Sequence, residues 1–265
     1  MNDVHEHGVH GWLAAAPVVT VLVATTLAGG YLVLVRRRER TLGRRWSGLR
    51  TGAWLAGAVL VAAGLSPWTV EAAHADARGH MAQHLLLGMY APLGVVLAAP
   101  MTLLLGASAP GTRRLLARLL HSLPVRLLTR PAVAAVLDVG GLYVLYLTGL
   151  YTAAQDHPAP HLLVSLHLLL AGTLFTWSVA GPDPAGPHPA SLRHRVVVLV
   201  LAAGAHAFLA TLLYARAPAL PPGNGHPAAE LEQAALWMYY GGDIAEVALA
   251  VALFAGWYRS TARRA

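Results

Sequence analysis

Seven long apolar stretches alternate with arginine-rich connections along this chain, and that alternation limits what it can fold into. A helix of about 20 apolar residues crosses a bilayer core of roughly 30 Å. The stretches run approximately over 12–35, 50–70, 80–105, 131–153, 161–180, 196–215 and 234–258. All 19 basic residues are Arg, and 17 of them fall in four segments: Arg36 to Arg50, Arg113 to Arg130, Arg193 with Arg195, and Arg259 to Arg264. Short loops rich in Arg stay on the cytoplasmic side of a membrane. The expected fold is all-α, a polytopic seven-transmembrane-helix bundle forming one membrane domain over residues 1–265, with its N-terminus outside and its C-terminus cytoplasmic.

Composition agrees that lipid is the solvent. Hydrophobic residues make up 56% and charged residues 12% of the chain, against about a quarter charged in soluble domains. The net charge of +7 therefore reads as short-loop anchors facing anionic membrane lipid, and no nucleic-acid partner is expected. There is no cysteine, which excludes disulfides and thiolate metal sites. The first eleven residues carry no Lys or Arg, so they lack the positive start of a cleavable signal, and the first span is expected to stay as a helix. Over residues 110–128, Leu115, Leu116, Leu119, Leu120 and Leu123 recur at helical spacing with Arg114 and Arg118 opposite. That pattern predicts an amphipathic helix on the inner leaflet.

The histidines sort to the other side. His74, His80 and His84 flank the second outer loop, His157 and His161 the third and His226 the last, while His5, His7 and His10 sit in the N-terminal tail with Asp3 and Glu6, a loose metal-collecting composition. His80 and His84 are spaced i, i+4 and present two imidazoles on one helix face, a geometry first-row metals use. Met81 is a neighbouring thioether, and His74, Asp76 and His157 are secondary candidates. Deeper down, His167, His206 and Asp243 lie within expected spans at comparable depth, with Glu246 one turn beyond Asp243 on the same face. Ionisable groups in hydrocarbon are costly and normally face a bundle interior with a partner. The metal-site set is thus His80, His84, His161, His167, His206 and Asp243, with Asp243 the expected partner of His206 and Glu246 the alternate. Asp138, about 10 Å from the opposite face by helical rise, is expected to pair structurally, away from that set.

Read as strings, the same residues resemble a known family. HMAQHLLLGMYAPLGVVLAAPMTLLLG, starting at His80, is similar to the third-span signature of the membrane-integral CtaG family of caa3-type cytochrome c oxidase assembly factors. HLLLAGTLFTWSVAGPDP from His167, the tripeptide His206, Ala207, Phe208 and the terminal MYYGGDIAEVALAVALFAGWYRSTARRA resemble its later segments. Departures are Tyr239 for a usual Trp, Ser178 and Ala245 for Pro, and Ser165 where related sequences often have His. The resemblance implies a non-enzymatic role in the bacterial plasma membrane: helping copper reach the CuB centre of cytochrome c oxidase subunit I. A cysteine-free, His- and Met-bearing cluster suits copper better than calcium or magnesium, which prefer oxygen cages. No nucleophile elbow, phosphate loop or dinucleotide fingerprint is present. Two other functions stay open. A copper or proton-coupled transporter would use the same buried groups, although no pair of interrupted spans is evident apart from a possible break at Gly241 and Gly242. A haem or quinone redox protein would use His167 and His206 as axial ligands.

Overall fold

The computed structural model describes residues 3–183 and 190–262, with side chains from residue 17 onward. The tail histidines His5, His7 and His10, together with His188, Arg263 and Arg264, therefore lie outside the described residues or side chains. Among the described residues all regular structure is helical. Four helices are long and apolar enough to cross a membrane, α1 over Pro17–Leu42, α11 (Pro158–Ala180), α12 (Leu192–Ala215) and α13 (Ala228–Thr261), and three bent pairs raise the number to seven if each pair is one span.

The bends have local causes. α1 (Asp3–Leu42) is followed by α2 (Gly48–Gly64), which turns 49° into α3 (Pro67–Ala75). Ser66 caps the new helix by accepting from the Thr69 amide at 3.3 Å, with Pro67 at the first helical position. α4 (Ala77–His84) runs into a π-helical turn over Leu85–Tyr90 and then α5 (Ala91–Leu97). The chain bends 42° before α6 (Pro100–Ala107), at Ala99, whose φ of 55° is left-handed. Asp183 holds that corner from the far side of the sequence. Its carboxylate accepts from the Met101 amide at 2.9 Å, the Thr102 amide at 2.7 Å and the Thr102 hydroxyl at 2.6 Å, at the positive end of α6. α9 (Pro131–Leu147) bends 76° into α10 (Leu150–Asp156). Three helix pairs are thus bent, each an interrupted span if it crosses as one, while α13 runs unbroken through Gly241 and Gly242.

The stretch expected as one amphipathic helix over 110–128 forms two, α7 (Pro110–Leu120) and α8 (Leu123–Leu128), and neither buries any of its residues. α1 is peripheral, with 6% of its apolar window buried. It is fastened by Tyr31, which donates to the Ala98 carbonyl at 3.0 Å, accepts from Trp46 Nε1 at 2.9 Å and stacks on Trp54.

α4, α5 and α9 to α13 form the packed body, and it has two apolar clusters. One surrounds Met81, Leu142, Tyr146, Tyr151, Leu209 and Met238 at the histidine-bearing end. The other surrounds Val139, Phe175, Val179, Leu199, Ala202 and Leu253 toward the arginine-bearing end. The π turn brings Gly88 against Gly172 of α11 so closely that a methyl group at 172 would overlap the Gly88 carbonyl. The polar groups described next lie along and between the two clusters.

Candidate metal centre

His80 on α4 is 3% exposed, and neither of its ring nitrogens has a hydrogen-bond partner. It is held by aromatic edges instead, with the Tyr151 and Tyr146 rings at 4.9 and 6.0 Å. Met81, next in sequence, is equally buried, and its sulfur lies 3.9 Å from the Tyr146 hydroxyl. A buried imidazole without partners is costly, because desolvation is not repaid by a hydrogen bond. Its lone pair is free for a ligand.

Above His80, toward the end of the bundle, His161 of α11 is also buried and leaves Nε2 without a partner. Its ring stacks on that of His74 at 4.5 Å, and His74 bonds the Val70 carbonyl through Nδ1 at 2.8 Å. The two come from α11 and α3. His226 lies on the far side of Tyr151, with its ring 6.3 Å away and Nδ1 3.6 Å from Glu230. His157 is exposed at the start of α11. Asp76 is committed elsewhere: it caps α4 through the Arg78 amide and pairs with the Arg78 guanidinium. Hydrogen bonding from that guanidinium, the main cause, holds the Asp76 carboxyl below the usual carboxylate range.

Below His80, one turn further along α4, His84 is 2% exposed and its Nδ1 lies 3.4 Å from the Tyr146 hydroxyl. Its ring centroid is 6.2 Å from that of His206 on α12, nearly perpendicular to it. His206 is likewise 2% exposed, with Nδ1 3.2 Å from Glu246 Oε1 and Nε2 without a partner. A cavity of about 30 Å³ is lined by His84, His206, Asp138, Glu246, Thr176 and Met89 among others.

Three placements differ from the sequence reading. The carboxylate beside His206 is Glu246, the alternate, and not Asp243. Gly242 packs under the His206 ring, where any side chain would collide with it. Residue 246, four positions on, stays on that face, whereas residue 243 is turned about 100° away. Asp138 faces the His84/His206 cavity instead of pairing apart from it. His167 is exposed, lies against Gly141 of α9 and bonds the Leu137 carbonyl at 3.1 Å. It is set apart from the buried histidines.

The interior thus holds a column of imidazoles descending from His74 and His161 through His80 to His84 and His206, ending on two carboxylates. Among the described residues, no three His, Asp or Glu side chains stand close enough together to hold one metal ion. Tyr146 was missed by sequence reasoning, since nothing in the spacing distinguishes a tyrosine that joins two histidine levels from one that packs.

A family profile described as cytochrome c oxidase caa3 assembly factor (Caa3_CtaG) matches residues 29–260. Curated relatives include an uncharacterized protein of Mycobacterium leprae, 33% identical over 183 residues, covering 66% of this chain and 28% of that protein. Another, from Mycobacterium bovis, is 32% identical over 200 residues, covering 73% of this chain and 29% of the relative, and an uncharacterized protein of Mycobacterium tuberculosis matches equally. The chain spans less than a third of the length of these relatives. No solved structure shows a significant match.

Proposed function

The chain belongs to the Caa3_CtaG family of cytochrome c oxidase caa3 assembly factors, and from that premise we propose that it captures copper at its histidine-bearing end and hands it to the CuB centre of oxidase subunit I. The observation that carries the reading is His80, buried with both ring nitrogens unpartnered beside a buried thioether. Imidazole and thioether donors suit copper. Capture begins with His74 and His161 near the membrane surface, passes to His80, and ends by ligand exchange into the partner, without covalent chemistry. The histidine-bearing end faces outward in this reading and the arginine-bearing end faces the cytoplasm of a bacterial plasma membrane. A cytoplasm-only reporter placed after Ala265 is then active, and one placed at residue 2 is silent.

Copper content of the purified protein tests the metal reading directly. Wild type is expected to retain copper, and His80→Ala with His84→Ala to lose it; equal content in all would remove the copper role.

A second reading is favoured by the three bent helix pairs. Interrupted helices with buried histidines and carboxylates also build transport pathways. Copper flux into liposomes containing the purified protein alone would establish transport over delivery to a partner.

A further inference from the structure

We propose that His84 and His206 form a second site, separate from the His80 group, which takes a soft monovalent d10 cation in two-coordinate fashion between the two Nε2 atoms. The inference rests on the copper reading above and adds to it where the ion pauses and in which oxidation state.

The hydrogen bonds set the tautomers. The Tyr146 hydroxyl donates toward the Met81 sulfur at 3.9 Å, which leaves its oxygen to accept from His84 Nδ1 at 3.4 Å. His206 Nδ1 lies 3.2 Å from Glu246 Oε1, and a carboxylate at that nitrogen favours the ring proton there. In both rings the proton is then on Nδ1 and the lone pair on Nε2, the arrangement that metal-binding histidines adopt when a hydroxyl, carboxylate or carbonyl holds the other nitrogen. His206 Nε2 is fully buried and has no other partner. Both rings line the same cavity, whose 30 Å³ is enough to admit a water-sized occupant.

Spacing and ligand number then select the ion. Two imidazoles on opposite sides of one ion stand roughly 6 Å apart between ring centroids, given metal–nitrogen bonds of about 2 Å; His84 and His206 are 6.2 Å apart. Zinc takes four ligands and cupric copper a tetragonal set, but no third His, Asp or Glu joins the pair closely enough among the described residues. A closed-shell monovalent ion such as cuprous copper or silver is satisfied by two nitrogens in line. The His74/His161 pair cannot serve in the same way, because its rings are stacked face to face at 4.5 Å. Glu246 and Asp138 bring carboxyl groups to the same cavity.

The test uses the full chain, purified in detergent, loaded with silver(I) or with copper(I) under reductant. Copper K-edge absorption of wild type is expected to contain a two-nitrogen component. Silver titration is expected to lose one equivalent in His206→Ala and in His84→Ala, and to keep that equivalent in His80→Ala and in the presence of excess zinc(II). Glu246→Gln keeps an acceptor for the His206 ring, so this folded control is expected to retain the equivalent with affinity lowered at least roughly tenfold. Silver stoichiometry unchanged in His206→Ala, or displacement by zinc, overturns the inner site. If wild type binds silver only through His80, the inner site fails and copper capture stands; if it binds neither silver nor copper, both fail.

Discussion

Asp183 and His80 are both polar and both buried, 6% and 3% exposed, and they are treated in opposite ways. The Asp183 carboxylate receives three donors at the start of α6. The His80 imidazole receives and gives nothing. One is spent on holding a corner of the bundle together, and the other is kept available. A buried group with every hydrogen bond made argues for architecture, whereas one that the fold leaves unsatisfied at an energetic cost argues for a ligand that completes it.

The sharpest way to break this contrast is to remove both groups and compare stability. Asp183→Ala strands two backbone amides and a hydroxyl, and is expected to cost about 3 kcal/mol, the upper range for hydrogen bonds to a charged group. Thermal unfolding in detergent would show it, and a loss within error would mean that Asp183 does not clamp α6. His80→Leu is expected to change stability in the opposite direction, by about +1 kcal/mol, because an unsatisfied buried polar group is replaced by an apolar one. Copper content should fall at the same time. A destabilised His80→Leu protein would show that His80 has a structural role after all.

Next in size is the choice between two carboxylates. Glu246→Gln is expected to lower oxidase copper occupancy, while Asp243→Asn leaves it near wild type, since only Glu246 touches His206. Occupancy measured in the two strains, with the reverse order, would return Asp243 to the site. The smallest effect concerns Asp76. Its carboxyl is held below the usual range by Arg78, so the pair contributes stability above the unfolded-chain carboxylate pKa of about 3.9 and loses it as pH falls through the lower folded value. Unfolding midpoints of wild type and Asp76→Asn should differ slightly at neutral pH and converge in acid; a constant gap across that range would exclude the pair as its source.

Much of this was legible in the amino-acid sequence. The apolar stretches, the amphipathic α7 and the His80/His84 pair follow from composition and 3.6-residue periodicity, which report which face of a helix is apolar. Depth and partner were less legible. Asp138 was placed by counting rise from one face and the histidines from the other, as though each span were straight and complete. With 76° of bend after α9 and a π turn after His84, those two measures do not describe a common frame, and groups counted as distant share a cavity. Glu246 and Asp243 lie on the same broad face of α13, and only the packing of Gly242 on the His206 ring decides between them. Asp183 lies in a loop, where no periodicity signals that its carboxylate reaches a helix some eighty positions earlier in the chain.

The π turn at Leu85–Tyr90 carries a consequence for the length of the gene product. Such a turn amounts to an α-helix with one surplus residue accommodated. Deleting one residue there would let the segment relax to ordinary helix while the helices on either side kept their relative rotation. The same deletion in the regular turns of α5 would instead rotate His80 and His84 by about 100° relative to the residues after it. Tolerance to a one-residue change in length thus differs between neighbouring turns of one helical segment, and only the second change would dismantle the imidazole column.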